Sequence, residues 1–201
     1  MSNNTAIGDI SETLINLLRD NLEIPQEMKG SIMLISPGDI EATDDVRLSL
    51  FLYQVVENVH MKNQEMEMID TTIHRYAPLT LDLYYILTVY PSEIPDKTER
   101  TINQHKLLGQ AMQVFYDNTI ITGSTLKGSL EPNDELHIIL SPMNIDDITK
   151  IWSTFQEKSF RTSVCYLVTP VMIDSIRKIR SERVVSKKDD YDQMMPKEEE
   201  E

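Results

Sequence analysis

Leu79-Thr80-Leu81-Asp82-Leu83-Tyr84-Tyr85-Ile86-Leu87-Thr88-Val89-Tyr90 alternates without a break. Leu79, Leu81, Leu83, Tyr85, Leu87 and Val89 share one face, and Thr80, Asp82, Tyr84, Ile86 and Thr88 share the other. Period-2 patterning of this length specifies a strand, because successive side chains point to opposite sides. Upstream, Val46 to Glu57 also reads as a long strand, with Leu48, Leu50, Leu52 and Val56 on one face and Phe51, Tyr53 and Val55 on the other. Both faces are apolar in its middle, which predicts cover on both sides by helices or a neighbouring subunit. Between the two strands, His60 to Ala77 is polar and Met-rich and is expected to form a long excursion or hairpin. Connections of that length inside a compact domain usually carry function.

Further out on the N-terminal side, a helix is predicted from Asp9 to Asn21, with Ile10, Leu14, Leu17 and Leu18 as its stripe and Asp9/Glu12 at capping-box spacing. Ser31 to Ser36 reads as a strand that stops at Pro37-Gly38, ahead of an acidic loop from Asp39 to Asp45. On the C-terminal side, a helix is expected from Thr98 to Asn118, built on Ile102, Leu107, Leu108, Ala111, Met112 and Phe115. Gly109 inside it costs about 1 kcal/mol against Ala, and a close helix-on-sheet contact is the reason anticipated for it. A loop from Thr119 to Asn133, a strand from Asp134 to Ser141, a helix from Ile145 to Gln156 capped by Asn144, and a strand from Thr162 to Ile173 follow. The order α-β-β-β-α-β-α-β specifies an α/β (α+β) class: a single two-layer domain, residues 1–174, with a mixed sheet of about five strands and three helices. Residues 175–201 form a charged C-terminal arm and acidic tail.

Composition narrows the function. The chain has 201 residues, 40% hydrophobic and 26% charged, which is ordinary for a globular protein. Its net charge of -14 argues against nucleic acid and anionic membrane as ligands and favours partners with basic patches. A lone cysteine, Cys165, excludes an internal disulfide framework. The start MSNNTAIGDISET lacks a basic region followed by an apolar stretch, so synthesis and assembly are expected in the cytoplasm.

Candidate chemistry is thin. Gly123-Ser124-Thr125-Leu126-Lys127-Gly128-Ser129 has Lys before its second Gly and a strand after it, the reverse of what a phosphate loop needs. Cys165 with His105 or His137 as base would make a nucleophile, but it lies in an alternating strand where a buried thiol is the simpler reading. His60, His74, His105 and His137 show no metal-ligand spacing, and no cofactor is called for. Asp44-Asp45 and Asp146-Asp147 are adjacent pairs suited to loop solvation or a helix start, since acid–base catalysis needs carboxylates converging on a cleft. Asp82, mid-strand, sits on a solvated face or pairs with a basic group of another subunit. The arm is the most unusual segment: Arg177, Lys178, Arg180, Arg183, Lys187 and Lys188 are opposed only by Glu182 before the sign reverses at Asp189. A basic arm on an acidic body suits docking onto an acidic neighbour.

Several motifs in order resemble one family. Phe51-Leu52-Tyr53-Gln54-Val55-Val56-Glu57-Asn58, Pro78-Leu79-Thr80-Leu81-Asp82-Leu83-Tyr84-Tyr85, His105-Lys106-Leu107-Leu108-Gly109, Ile151-Trp152-Ser153, and Ser163 and Tyr166 with Val168-Thr169-Pro170-Val171 are similar to the strands and helices of the cap, or tail-terminator, proteins of extracellular contractile injection systems of the antifeeding-prophage type. Ala77-Pro78 departs from a pattern that often carries two prolines. The resemblance covers residues 7 to 174 and implies a non-enzymatic ring subunit. It further implies six-fold self-association, an inner tube protein and a sheath protein as partners, and no cofactor. The arm is expected to meet the sheath, and the 60–77 excursion the tube or the neighbouring subunit. A monomeric or dimeric adaptor or assembly chaperone is the alternative, and an enzyme centred on Cys165 a third.

Overall fold

A computed structural model describes residues 4–180, except 63, 64, 71, 127, 129 and 131–133. The alternating stretch is strand β5 (Leu79–Val89), third in a six-stranded sheet of order β1-β2-β5-β8-β7-β6. Its partners are β1 (Ile32–Leu34), β2 (Leu48–Glu57), β6 (Ile120–Thr122), β7 (Glu135–Ser141) and β8 (Ser163–Ile173). Only β1 and β2 run parallel, so the sheet is mixed as expected, with one strand more than anticipated. The extra strand, β6, lies in the stretch read as a loop; three residues are too few for alternation to register.

Helices α1 (Ala6–Asn21) and α2 (Lys97–Asp117) pack on one face of this sheet. Ile10, Leu14 and Leu18 of α1 and Leu107, Ala111 and Phe115 of α2 meet Leu48, Leu50, Leu83, Tyr85, Leu87 and Val168 in one continuous core. Full burial of each such side chain contributes about 1.5–3 kcal/mol. Helix α3 (Ile145–Ser153) does not join them. Phe155, just beyond it, meets Phe51 edge-on at 6.0 Å, on the opposite side of β2 from Leu50. The three predicted helices are therefore split between the two faces of the sheet. No helix among the described residues is long and apolar enough to cross a membrane.

Three local readings change. Helix α1 starts a turn early, at Thr5, which supplies no side-chain cap; Asp9 is already inside the helix and accepts from Thr5 Oγ1 at 2.8 Å, so Asp9/Glu12 is not a capping box. In β2 a bulge at Tyr53 shifts the register between Leu52↔Tyr85 and Gln54↔Tyr84. Side-chain parity flips there: Val55 aligns with Leu83 and Val56 with Asp82, the reverse of the predicted faces. Beyond the bulge β2 is exposed, so cover on both faces holds only for its first half. Gly109 lies on the exposed side of α2, with nothing within 4 Å of where a Cβ would stand, so no helix-on-sheet contact explains it. The caps at Asn144, accepting from Asp147 N at 2.8 Å, and at Asp96, accepting from Glu99 N at 2.7 Å, fix α3 and α2.

Candidate functional site

The 60–77 excursion folds into a hairpin, β3 (Glu67–Asp70) and β4 (Ile73–Arg75), as one of the two forms expected of it. A third strand joins from the arm. Strand β9 (Lys178–Arg180) pairs antiparallel with β4, through Ile73↔Arg180, His74↔Ile179 and Arg75↔Lys178. The resulting three-stranded sheet forms a wing at the end of the main sheet where β2 finishes, β5 begins and β8 finishes.

Two sets of contacts hold the wing. At its base, Asp82 Oδ1 accepts hydrogen bonds from Asn58 Nδ2 at 2.9 Å and Thr169 Oγ1 at 2.5 Å. Asp82 faces a bulge of β8: the register steps from Leu81↔Val171 to Leu83↔Val168, leaving Thr169 and the cis-linked Pro170 opposite it. Asn58 in turn accepts from the backbone N–H of His60 and of Met61 with its Oδ1, at 3.0 and 3.1 Å, and its own N–H donates to Thr80 O at 2.8 Å. Asp82 thus orients the first turn of the excursion, through partners within its own chain. Along the arm, Arg75 pairs with Asp174 at 3.2 Å with both side chains mostly buried, and the Arg177 guanidinium stacks over the Tyr76 ring at 4.2 Å.

The wing's surface combines charge and exposed apolar area. Lys178 and Arg180 are exposed on β9, beside Ile176 and Ile179, while Met68 and Ile69 are exposed on β3. Of the six arm cations, Arg177, Lys178 and Arg180 are brought to the wing; Arg183, Lys187 and Lys188 lie outside the described residues.

The enzymatic candidates do not converge. Cys165 is 2% exposed, on the sheet face away from α1 and α2; burial pushes its thiol above the ordinary 9.0, and a nearby Tyr53 hydroxyl offsets only part of that. Burial, followed by the proximity of Cys165, also drives Tyr53 upward; its hydroxyl donates to Met143 Sδ at 3.4 Å. The histidines sit on separate elements, in the turn after β2, on β4, on α2 and on β7; His137 Nε2 meets Glu135 at 2.9 Å on its own strand. Asp44 accepts from Glu41 N in its loop, and Asp147 pairs with Lys150 in the first turns of α3. In the glycine-containing loop, Gly128 has φ +67° and packs so tightly against the Asp9 carboxylate that a Cβ would collide with it. A carboxylate there is the wrong charge for holding phosphate. Lys127 and Ser129 lie outside the described residues. Among the described residues, no group of three His, Cys, Asp or Glu is placed to hold a metal ion.

Sequence reasoning singled out Asp82 as a candidate, whereas Asn58 and Thr169 entered only as members of the motifs that carry the resemblance. Asn58 follows directly on the long strand, and its turn-forming residue type was the available signal. The Arg75–Asp174 and Tyr76–Arg177 contacts join residues about a hundred positions apart and left no local trace.

No curated protein matches this chain. Solved structures that share its fold include the following two. One is the sheath/tube terminator of PVC, an extracellular contractile injection system, in its extended state, with TM-score 0.65, 15% identity and 97% of this chain covered. The other is the tube-terminating cap of the anti-feeding prophage, with TM-score 0.58, 14% identity and 90% of this chain covered. This chain spans 66% and 60% of their respective lengths. The Pvc16 N-terminal domain family matches residues 9–187, which takes in the main sheet, most of α1, both other helices, the wing and the arm as far as Lys187, and the chain belongs to that family.

Proposed function

We propose that this chain is a structural terminator subunit of a contractile injection particle and catalyses no reaction. Copies close into a ring, six-fold in our reading, on the distal end of the inner tube. The ring ends tube polymerisation and couples the tube to the last sheath layer. Synthesis and assembly occur in the cytoplasm, and the subunit leaves the cell as part of the particle. Arg177, Lys178, Arg180, Arg183, Lys187 and Lys188 bind an acidic protein surface; nucleic acid and membrane are not partners.

The observation that carries this reading is the fold likeness to a sheath/tube terminator along 97% of the chain. The chemistry agrees with it. Cys165 is buried with a raised thiol, the histidines lie apart, and the most distinctive feature is a projecting sheet with exposed apolar and basic side chains. Such a feature fits a protein contact better than a reaction.

The test is co-expression of the tube and sheath proteins with and without this chain, followed by imaging of particle lengths and ends. The expected result is particles of uniform length with added density at one end, and long or unsheathed tubes when the chain is omitted. Particles with the same lengths and bare ends in both preparations overturn the reading.

A further inference from the structure

We infer that the two ends of this molecule are complementary, so that the wing of one copy seats in a recess at the opposite end of the next. The inference rests on the terminator reading only for the proposition that copies associate; the surfaces come from the structure.

Polarity comes first. Leu48 pairs with Val89 and Thr88 with Ser163 at one end of the main sheet, while Glu57 pairs with Leu81 and Leu79 with Ile173 at the other. The wing grows from the second end. Strand β5 has 11 residues, so the two ends stand about 35 Å apart at about 3.3 Å per residue.

At the first end lies a recess of about 450 Å³, framed by the acidic loop after β1, by Tyr90–Glu93 after β5, and by the segment from Trp152 to Arg161. Its rim carries Glu41, Asp44, Asp45, Glu93 and Glu157. Two cations are present and both are engaged: Lys158 Nζ donates to Ile40 O at 2.5 Å, and Arg161 lies over the Tyr90 ring at 5.1 Å. The rim therefore presents excess negative charge. Trp152, 4% exposed, lines the recess together with Tyr90 and Ser92.

The wing supplies the opposite charge. Strand β9 is the outer strand of its sheet, so its free edge offers backbone carbonyls. Lys178 and Arg180 project from one face of that edge strand and Ile179 from the other. Asp70, an acidic residue of the same wing, lies on β3, the strand at the far side of the small sheet from β9. A cationic strand edge matches an acidic rim in charge. Because the two surfaces lie at opposite ends, the contact is head-to-tail, the type that closes into a ring when the rotation permits.

The experiment uses the full chain. One variant reverses the wing, Lys178→Glu with Arg180→Glu; a second reverses the rim, Asp45→Lys with Glu93→Lys. All four side chains are exposed, and circular dichroism confirms folding. Light scattering at low salt reads self-association with tube protein present. Each variant alone is expected to associate about tenfold or more weakly than the wild type. An equimolar mixture is expected to recover assembly, because each then meets an oppositely charged end on the other. A folded variant that assembles like the wild type, or a mixture that fails to recover, overturns the inference. So does a wing reversal that abolishes sheath binding and leaves self-association intact. A wild-type chain that caps tubes yet stays monomeric keeps the terminator reading and removes this one. Charge-dependent assembly with no effect on particle ends does the opposite.

Discussion

Replacing Asp82 by alanine removes the acceptor that joins the wing to the main sheet. Two hydrogen bonds end on its Oδ1, from Asn58 at 2.9 Å and Thr169 at 2.5 Å. A hydrogen bond to a charged group contributes about 1.5–3 kcal/mol, which sets an upper bound of about 3–6 kcal/mol for the pair. Asp82 and Thr169 are half-buried, so water recovers part of the loss, and a cost of about 2–3 kcal/mol follows. For a chain of this size that lowers Tm by about 4–12 °C. Asp82→Asn keeps an acceptor oxygen in place but makes both bonds neutral, at about half the strength, so its expected cost is about 1 kcal/mol. Thermal unfolding by circular dichroism measures the difference, and hydrogen exchange locates it. Protection should fall first at His60 and Met61, whose N–H groups rest on the Asn58 carbonyl, then along β4 and β9. Equal Tm values for Asp82→Ala and wild type, or a loss of protection spread evenly over α1 and α2, refutes the anchoring role.

Gly109→Ala should stabilise the protein by about 0.5–1 kcal/mol, because the position is helical, exposed and open around the added methyl; a lower denaturant midpoint would reveal a contact at that site. Ser11 Oγ gives its hydrogen to Ile7 O at 3.0 Å, which makes Tyr85 OH the donor in the buried 2.8 Å contact between them. Ser11→Ala strands that hydroxyl and should cost about 1–3 kcal/mol, more than the 0.5–1.5 kcal/mol or so of Tyr85→Phe; urea melts showing the reverse order refute the assignment. Cys165 should resist alkylation at neutral pH until the chain unfolds. Its thiol is raised in the native state, so the contribution to stability is complete below the ordinary 9.0 and is lost as pH rises through the native value. Rapid labelling of folded protein at neutral pH would contradict the burial.

Strand β5 was legible because its alternation continues over 11 residues with no bulge on its own side. Strand β2 was equally visible, yet its outer half was assigned to the wrong faces. A single extra residue at Tyr53 inverts parity, and nothing in the pattern Phe51 to Glu57 marks it. Helix α1 was placed a turn late because Asp9 and Glu12 imitate a cap where the chain is already helical. The arm's cations were visible as a charge run. Their incorporation into a sheet was not, because Lys178–Arg180 pairs with Ile73–Arg75 across the length of the chain, and three alternating residues carry little periodic signal. The recess was out of reach for the same reason: the sequence placed Trp152 only in the helix expected from Ile145 to Gln156, and only the folded chain sets it beside Tyr90 and the acidic loop.

The ladder between β5 and β8 runs from Leu79↔Ile173 to Thr88↔Ser163, and that between β2 and β5 from Leu48↔Val89 to Glu57↔Leu81. Their hydrogen bonds lie across the strand direction. A pull applied along the strands, from wing to recess, loads these bonds side by side in shear, so that they must give way together. The same pull applied across β6, held to β7 by the short stretch Thr119–Thr122, would peel its few bonds one at a time. The molecule is therefore mechanically anisotropic, stiff between its two poles and weak at its β6 margin.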